Sequence, residues 1–249
     1  MALIVLLIDP PIVSNTTAKM DVAKCSYPWT ETNDADQTMD ARTIQYYWAN
    51  ATDIADRYES VTSPVSQWFA HAFPPGSRVL DIGSGSGRDL ACLLAQGFDA
   101  HGIEPCDPLR EQSALRHPEL RNRLGKGALP DLTACVDQTY DGVLCSAVLM
   151  HLPGNELPAA AKAIGAVLND RGRLLLSLPK TRGDLHADER DINGRLFCAV
   201  SPEKIRALFE RSGFHLLRRW DTDDALGRNA TSWFTLLMEL RRSDWQDLN

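Results

Sequence analysis

The chain has 249 residues, which suits one large α/β domain with or without a small appendage. A formal net charge of −7 excludes a general electrostatic attraction to nucleic acid, and 44% hydrophobic with 24% charged residues is globular rather than disordered composition. Six scattered cysteines with no C-x-x-C pair argue against a zinc site and fit a reducing, cytoplasmic setting.

The N-terminal MALIVLLIDPPIV lacks a basic region, is interrupted by Asp9-Pro10-Pro11 and shows no cleavage pattern, so a targeting role is not expected. Residues 1–39 read as an irregular arm, because 14–39 are polar and lack periodicity. Residues 40–61 read as helical with a break near Asn50, and 64–72 as a further short helix. Together 40–75 form an expected helical cap, ended by the turn Pro74-Pro75-Gly76.

From residue 76 to 249 strands and helices alternate. Residues 78–82 make a short buried strand, and 88–96 a helix stopped by Gly97. A second strand covers 99–104. Asp107 then reads as a helix cap with Pro108 in the first position. A weak third strand falls near 121–126, a fourth at 140–145, and a helix at 157–168. Asp170-Arg171-Gly172 reads as a turn into a fifth strand at 173–178. Ser201-Pro202-Glu203 opens a helix with Ile205, Leu208 and Phe209 on its buried face. The last strands, 214–220 and 232–240, lack the crossover that a parallel pair needs, so they should run antiparallel. This is an α/β, Rossmann-like three-layer α/β/α sandwich: a seven-stranded, mostly parallel sheet with an antiparallel last strand.

The strongest signal is VLDIGSGSGRD at 79–89, a buried strand running into a glycine-rich turn that opens a helix. Dinucleotide sites read G-x-G-x-x-G and hold a pyrophosphate. Here the glycines fall as G-x-G-x-G, with Asp81 two positions before the first, which favours a cofactor bearing an amino acid. Glu104, about 20 residues beyond the turn at the end of the second strand, is placed to hold two ribose hydroxyls.

These residues resemble motifs I and II of the class I S-adenosylmethionine-dependent methyltransferases, nearest the ubiquinone/menaquinone and small-molecule branch. The likeness runs from about Tyr46 to Leu240 and implies S-adenosylmethionine as cofactor. It assigns Asp81, Gly83 and Gly85 to the methionine end and Glu104 to the ribose, with Ser84, Gly87, Arg88 and Pro105 as further cofactor contacts. Ala128 and Leu129 would border the adenine, although the acid that relatives often carry just before this point is Gly127 here. Ser146 and Ala147, after the fourth strand, would lie under the cofactor, and Tyr58 would cover it.

For the acceptor, His151 is the first candidate for a catalytic base, since histidine titrates near neutrality. Tyr46 and Tyr47 are candidate contacts, though they also suit plain packing of a helix on the sheet. Arg195 and Arg228 leave the carboxyl edge of the sheet, where ligands bind in such folds. If they face the pocket they suggest an anionic or carbonyl-rich small molecule; the alternative is a solvated loop. The expected reaction is direct methyl transfer with no metal and no membrane partner. The Asp/Asn-Pro-Pro-aromatic signature of base-amino methylation is absent from 145–148, and no Pro-Cys motif appears. The competing readings are a protein or RNA methyltransferase, a catalytically silent cofactor-binding protein and, at the margin, a dehydrogenase.

Overall fold

Alternating burial along short strands builds a core on both faces of a central sheet. The computed structural model describes residues 40–135, 138–228 and 230–243, so the expected arm at 1–39 lies outside the described residues. The strands are β1 (Arg78–Ile82), β2 (Asp99–Ile103), β3 (Leu124–Gly125), β4 (Tyr140–Ser146), β5 (Leu168–Thr181), β6 (Phe214–Asp223) and β7 (Ser232–Leu240). They form one sheet in the order β3-β2-β1-β4-β5-β7-β6. Every neighbouring pair is parallel except β5–β7 and β6–β7. The antiparallel last strand therefore lies inside the sheet, between β5 and β6.

Side chains alternate across the strands, so a buried run serves two cores. Leu80, Val143 and Leu174 pack with α6 (Leu157–Val167) and α7 (Pro202–Glu210) on one face. Val79, Leu144 and Leu175 pack with α3 (Phe69–Ala72) and α4 (Arg88–Ala95) on the other. The helices α1 (Ala41–Ala49) and α2 (Ala51–Glu59) meet at Asn50, the break expected from sequence. Ala51 and Ile54 bury against Cys106 and against Leu109 of α5 (Asp107–Arg116). That contact carries α1 and α2 over the carboxyl edge of the sheet.

Three expectations need correction. Asp107 is the first helical residue, not the cap: Cys106 caps α5 without a side-chain bond, and Pro108 follows Asp107. The reason is that Glu104 Oε1 accepts the Cys106 amide at 2.9 Å and holds Cys106 extended. The turn at 170–172 is instead a bulge within β5. Tyr140 pairs with Leu168 and Gly142 with Arg173, and Arg171 takes the surplus chain at φ +59°. The third strand shrinks to two residues. Ser201 does cap α7 as expected, its hydroxyl accepting the Lys204 amide. Among the described residues no helix is long and apolar enough to cross a membrane.

Candidate active site

A single pocket at the carboxyl ends of β1, β2, β4 and β5 gathers most of the residues singled out from sequence. Of those assigned to the cofactor, all but Asp81 and Gly87 reach its wall; of those assigned to the acceptor, all but Tyr46. The glycine turn forms the floor. Gly83, Gly85 and Gly87 all have positive φ, at +69°, +56° and +86°. A Cβ on Gly83 would stand 2.6 Å from Val148 Cγ2, and one on Gly87 2.2 Å from Ser113 Oγ. Gly87 therefore serves the packing of α5 on the turn, and Gly83 the close approach of the segment after β4.

Glu104 is locked from behind. Its Oε2 accepts the Gly85 amide at 3.0 Å while Oε1 takes that of Cys106. Each carboxylate oxygen keeps a further lone pair for a hydroxyl donor. Burial raises the pKa of Glu104, and the two backbone hydrogen bonds oppose that rise.

Asp81 lies under the turn, 2% exposed, and its Oδ2 has no partner among the described residues. Burial pushes its pKa well up, and the nearby Asp89 and Glu104 push it further. An orphaned buried carboxylate of this kind is costly unless a cation or donor arrives. Arg88 does not neutralise the cluster freely. Its Nε donates to Asp89 at 3.0 Å, and its Nη1 to the carbonyls of Tyr58 and Val61 at 2.8 and 3.3 Å. It ties the end of α2 to the glycine turn and also reaches the pocket wall. The edge of the Tyr58 ring then stands 3.6 Å from where a Gly85 Cβ would be.

The end of the pocket expected to border the adenine is apolar. Leu129 is buried and lines the pocket beside Ala128. Gly127 is crowded: a Cβ there would meet Ile103 at 3.2 Å, so a side chain at this position requires Ile103 to give way. After β4, Ser146 and Ala147 line the opposite wall. Ala147 sits at φ +60°, its amide donating a hydrogen bond to the Ser177 carbonyl at 2.9 Å.

At the acceptor end His151 is fixed in one tautomer. Nδ1 stands 2.7 Å from the Leu196 carbonyl, which can only accept, so Nδ1 carries the proton. Nε2 then accepts from the Tyr47 hydroxyl at 3.1 Å. Burial, with Arg195 and Arg182 nearby, outweighs the Leu196 bond and holds the His151 pKa down at about 4. Tyr47 is pushed upward by its own burial. Tyr46 stays behind the wall, its ring 4.6 Å from the Arg195 guanidinium.

Arg195 donates through Nε and Nη2 to Asp191 at 2.9 and 2.6 Å, and its Nη1 reaches Tyr47 Oη at 3.5 Å. Arg228 donates through Nε and Nη2 to Asp224, which also accepts from the Trp233 indole at 2.8 Å. Arg182 was missed in the sequence, yet it lines the pocket, 3.7 Å from the Phe197 ring centroid and bonded to Asp184. It directly follows β5, so the rule that sends strand ends to the site would have found it. Trp233, also missed as a wall residue, meets Asp224 only through the β6–β7 pairing.

Residues 51–218 match the family described as "Methyltransferase domain". An uncharacterised methyltransferase of Bacillus licheniformis is 24% identical over 155 residues, covering 58% of this chain and 62% of its own length. The chain thus spans less than two thirds of that curated relative. Among solved structures, the 1,6-didemethyltoxoflavin-N1-methyltransferase of Burkholderia thailandensis superposes with a TM-score of 0.66 at 19% identity, over 81% of this chain and 88% of that one. The cyclase SpnF gives 0.60 at 15% identity, over 79% and 95%. With two thirds of its length matching the family and its fold shared with these solved structures, this chain belongs to the methyltransferase-domain family and has the fold of the class I, S-adenosylmethionine-dependent methyltransferases.

Proposed function

We propose that this chain transfers the methyl group of S-adenosylmethionine to a small-molecule acceptor. The observation that carries this reading is the charge around the glycine turn: Asp81, Asp89 and Glu104 converge there, and Arg88, the cation beside them, pairs with Asp89 and with backbone carbonyls, leaving Asp81 and Glu104 without an ion-pair partner among the described residues. A pyrophosphate carries negative charge into such a site and is repelled. A ligand with an ammonium and a sulfonium is attracted, and the orphaned Asp81 Oδ2 gains a cation nearby. Glu104 would hold the ribose hydroxyls through its remaining lone pairs, while Ala128 and Leu129 border the adenine. Tyr58, positioned by Arg88, would close over Gly85.

When bound, S-adenosylmethionine supplies a methyl carbon already activated by positive sulfur. The chain's own residues then have to align the acceptor and exclude water. The walls formed by Tyr47, Tyr58, Met150, Phe197 and Trp233 do the latter. The toxoflavin-type neighbour was solved with its small acceptor and S-adenosylhomocysteine, which supports the same division of the pocket here. SpnF, described as a cyclase, cautions that the fold alone does not name the reaction; the acidic turn is what favours the sulfonium cofactor. The described cysteines are all free, in keeping with a reducing compartment.

Calorimetric titration with S-adenosylhomocysteine and with NAD tests the reading. Wild type should bind the former with a Kd on the order of micromolar, and Glu104→Ala and Asp81→Asn should each weaken it by about tenfold or more, about 1.4 kcal/mol. Binding of NAD without S-adenosylhomocysteine sinks the proposal.

A further inference from the structure

We propose that the acceptor is a flat organic anion, ionised before it is methylated, and that Arg182, Arg195 and Arg228 select it. This rests on the methyl-transfer reading above and names the substrate class of that site. Three guanidinium groups line the acceptor end of the pocket. Asp184, Asp191 and Asp224 hold them through their Nε and Nη2 edges. The pairing orients the arginines without exhausting them. Nη1 of Arg182 and Nη1 of Arg228 donate to nothing among the described residues, and Nη1 of Arg195 has only the long contact to Tyr47. A guanidinium fixed on one edge by a carboxylate, buried for Arg195 and Arg228 and half-exposed for Arg182, presents its free N–H groups to oxygen acceptors in the cavity. Asp191, its side chain only 1% exposed, sits behind Arg195, while Asp224, 3% exposed, holds Arg228 from within the wall.

A second observation points the same way. His151 is the histidine of the pocket wall, and both of its nitrogens are engaged, one donating to Leu196 and the other accepting from Tyr47. Neither is open to take a proton from the acceptor, and a second positive charge beside Arg195 is unfavourable. An acceptor that arrives ionised needs no base. Its lone pair forms the new bond to the methyl carbon, the carbon–sulfur bond breaks with its electron pair going to sulfur, and one negative and one positive charge disappear together. No proton moves. His151 then acts as a positioning residue, holding the Tyr47 hydroxyl. The aromatic walls Tyr47, Phe197 and Trp233 suit a conjugated ring bearing the anionic oxygens.

The test is calorimetric and needs no knowledge of the true acceptor. Wild type is first titrated with S-adenosylhomocysteine. The loaded protein then meets three aromatic carboxylates, each paired with its neutral amide: benzoate and benzamide, picolinate and picolinamide, indole-3-acetate and indole-3-acetamide. At least one carboxylate should bind about tenfold more tightly than its amide. Arg182→Gln and Arg228→Gln should each remove most of that preference and leave S-adenosylhomocysteine affinity within about twofold. Amides that bind as well as carboxylates overturn the proposal, as does a preference that survives both substitutions. Weakened S-adenosylhomocysteine binding in the arginine variants also overturns it, since those side chains would then hold the cofactor. A wild type that ignores S-adenosylhomocysteine is a different result and removes the methyl-transfer reading itself.

Discussion

Gly83 carries two constraints at once, a φ of +69° and Val148 Cγ2 at 2.6 Å from where a Cβ would stand. Gly83→Ala should therefore cost about 1–3 kcal/mol, read by urea unfolding, and weaken S-adenosylhomocysteine binding by more than about tenfold. A variant of unchanged stability would mean that Val148 moves aside freely. His151 gives a pH prediction. Its native pKa of about 4 lies below the ordinary 6.5, so the unfolded chain takes up a proton that the native state refuses. The stability contributed by neutral His151 is complete above about pH 6.5 and is lost as the pH falls from there towards 4. The difference in unfolding free energy between wild type and His151→Gln should shrink between pH 7 and pH 5 by about 1 kcal/mol or more. A difference that stays constant places the titration elsewhere. The glycines and Glu104 were legible in the sequence because their chemistry is local: backbone conformation, and a carboxylate at a strand end. Arg182 was legible too, directly after β5, and was overlooked; Trp233 was not, because it reaches Asp224 only when β6 and β7 pair.

The first helix is fastened by its entry. Asp40 Oδ1 accepts the Thr43 amide at 2.8 Å, capping α1, and both Asp40 oxygens accept from Arg190 at 2.9 and 2.7 Å. The Thr43 hydroxyl in turn accepts the Leu196 amide at 2.9 Å. One cap thus joins α1, which carries Tyr47, to the segment that presents the Leu196 carbonyl and Arg195. Burial opposes ionisation of Asp40, but the hydrogen bonds from Arg190 and Thr43 outweigh it and hold the pKa at about 2. The clasp is therefore complete above the ordinary value of 3.8 and is lost as the pH falls towards 2. Asp40→Ala should cost about 1–2 kcal/mol in urea unfolding at pH 7. It should also raise the KM of the acceptor more than that of the methyl donor, because the displaced groups face the acceptor. Equal effects on both would make the clasp purely structural. Sequence periodicity found α1, α2 and their break, since an apolar stripe and a cap are local features. It missed the cap of α5, where a carboxylate two residues upstream, Glu104, sets the backbone of Cys106.

Across the whole chain, the order of strands and helices was readable because buried strands and amphipathic helices alternate with clear stops. The antiparallel direction of β7 followed from the shortness of its connection, and its place between β5 and β6 was settled by pairing that no local pattern encodes. The bulge at Arg171 escaped for the same reason: Asp170-Arg171-Gly172 is turn chemistry, and only the register against β4 makes it part of a strand. A ligand that binds the native state alone at about 100 times its Kd adds about 2.7 kcal/mol. For a domain of this size that is a rise in Tm of about 5–10 °C. Saturating S-adenosylhomocysteine should produce such a rise in wild type and little in Glu104→Ala. A shift that persists in the variant would place the ligand away from the glycine turn.

The strand order also sets a timetable. The sole neighbour of β6 in the sheet is β7, which is translated after it. While the chain is still emerging from the ribosome, β1 to β5 can already pair, and the glycine turn and Glu104 can form. β6 has no edge to join until residues 232–240 arrive and fill the gap beside β5. On this strand order the wall that carries Asp224 and Trp233 is the last part of the pocket whose chain becomes available for pairing.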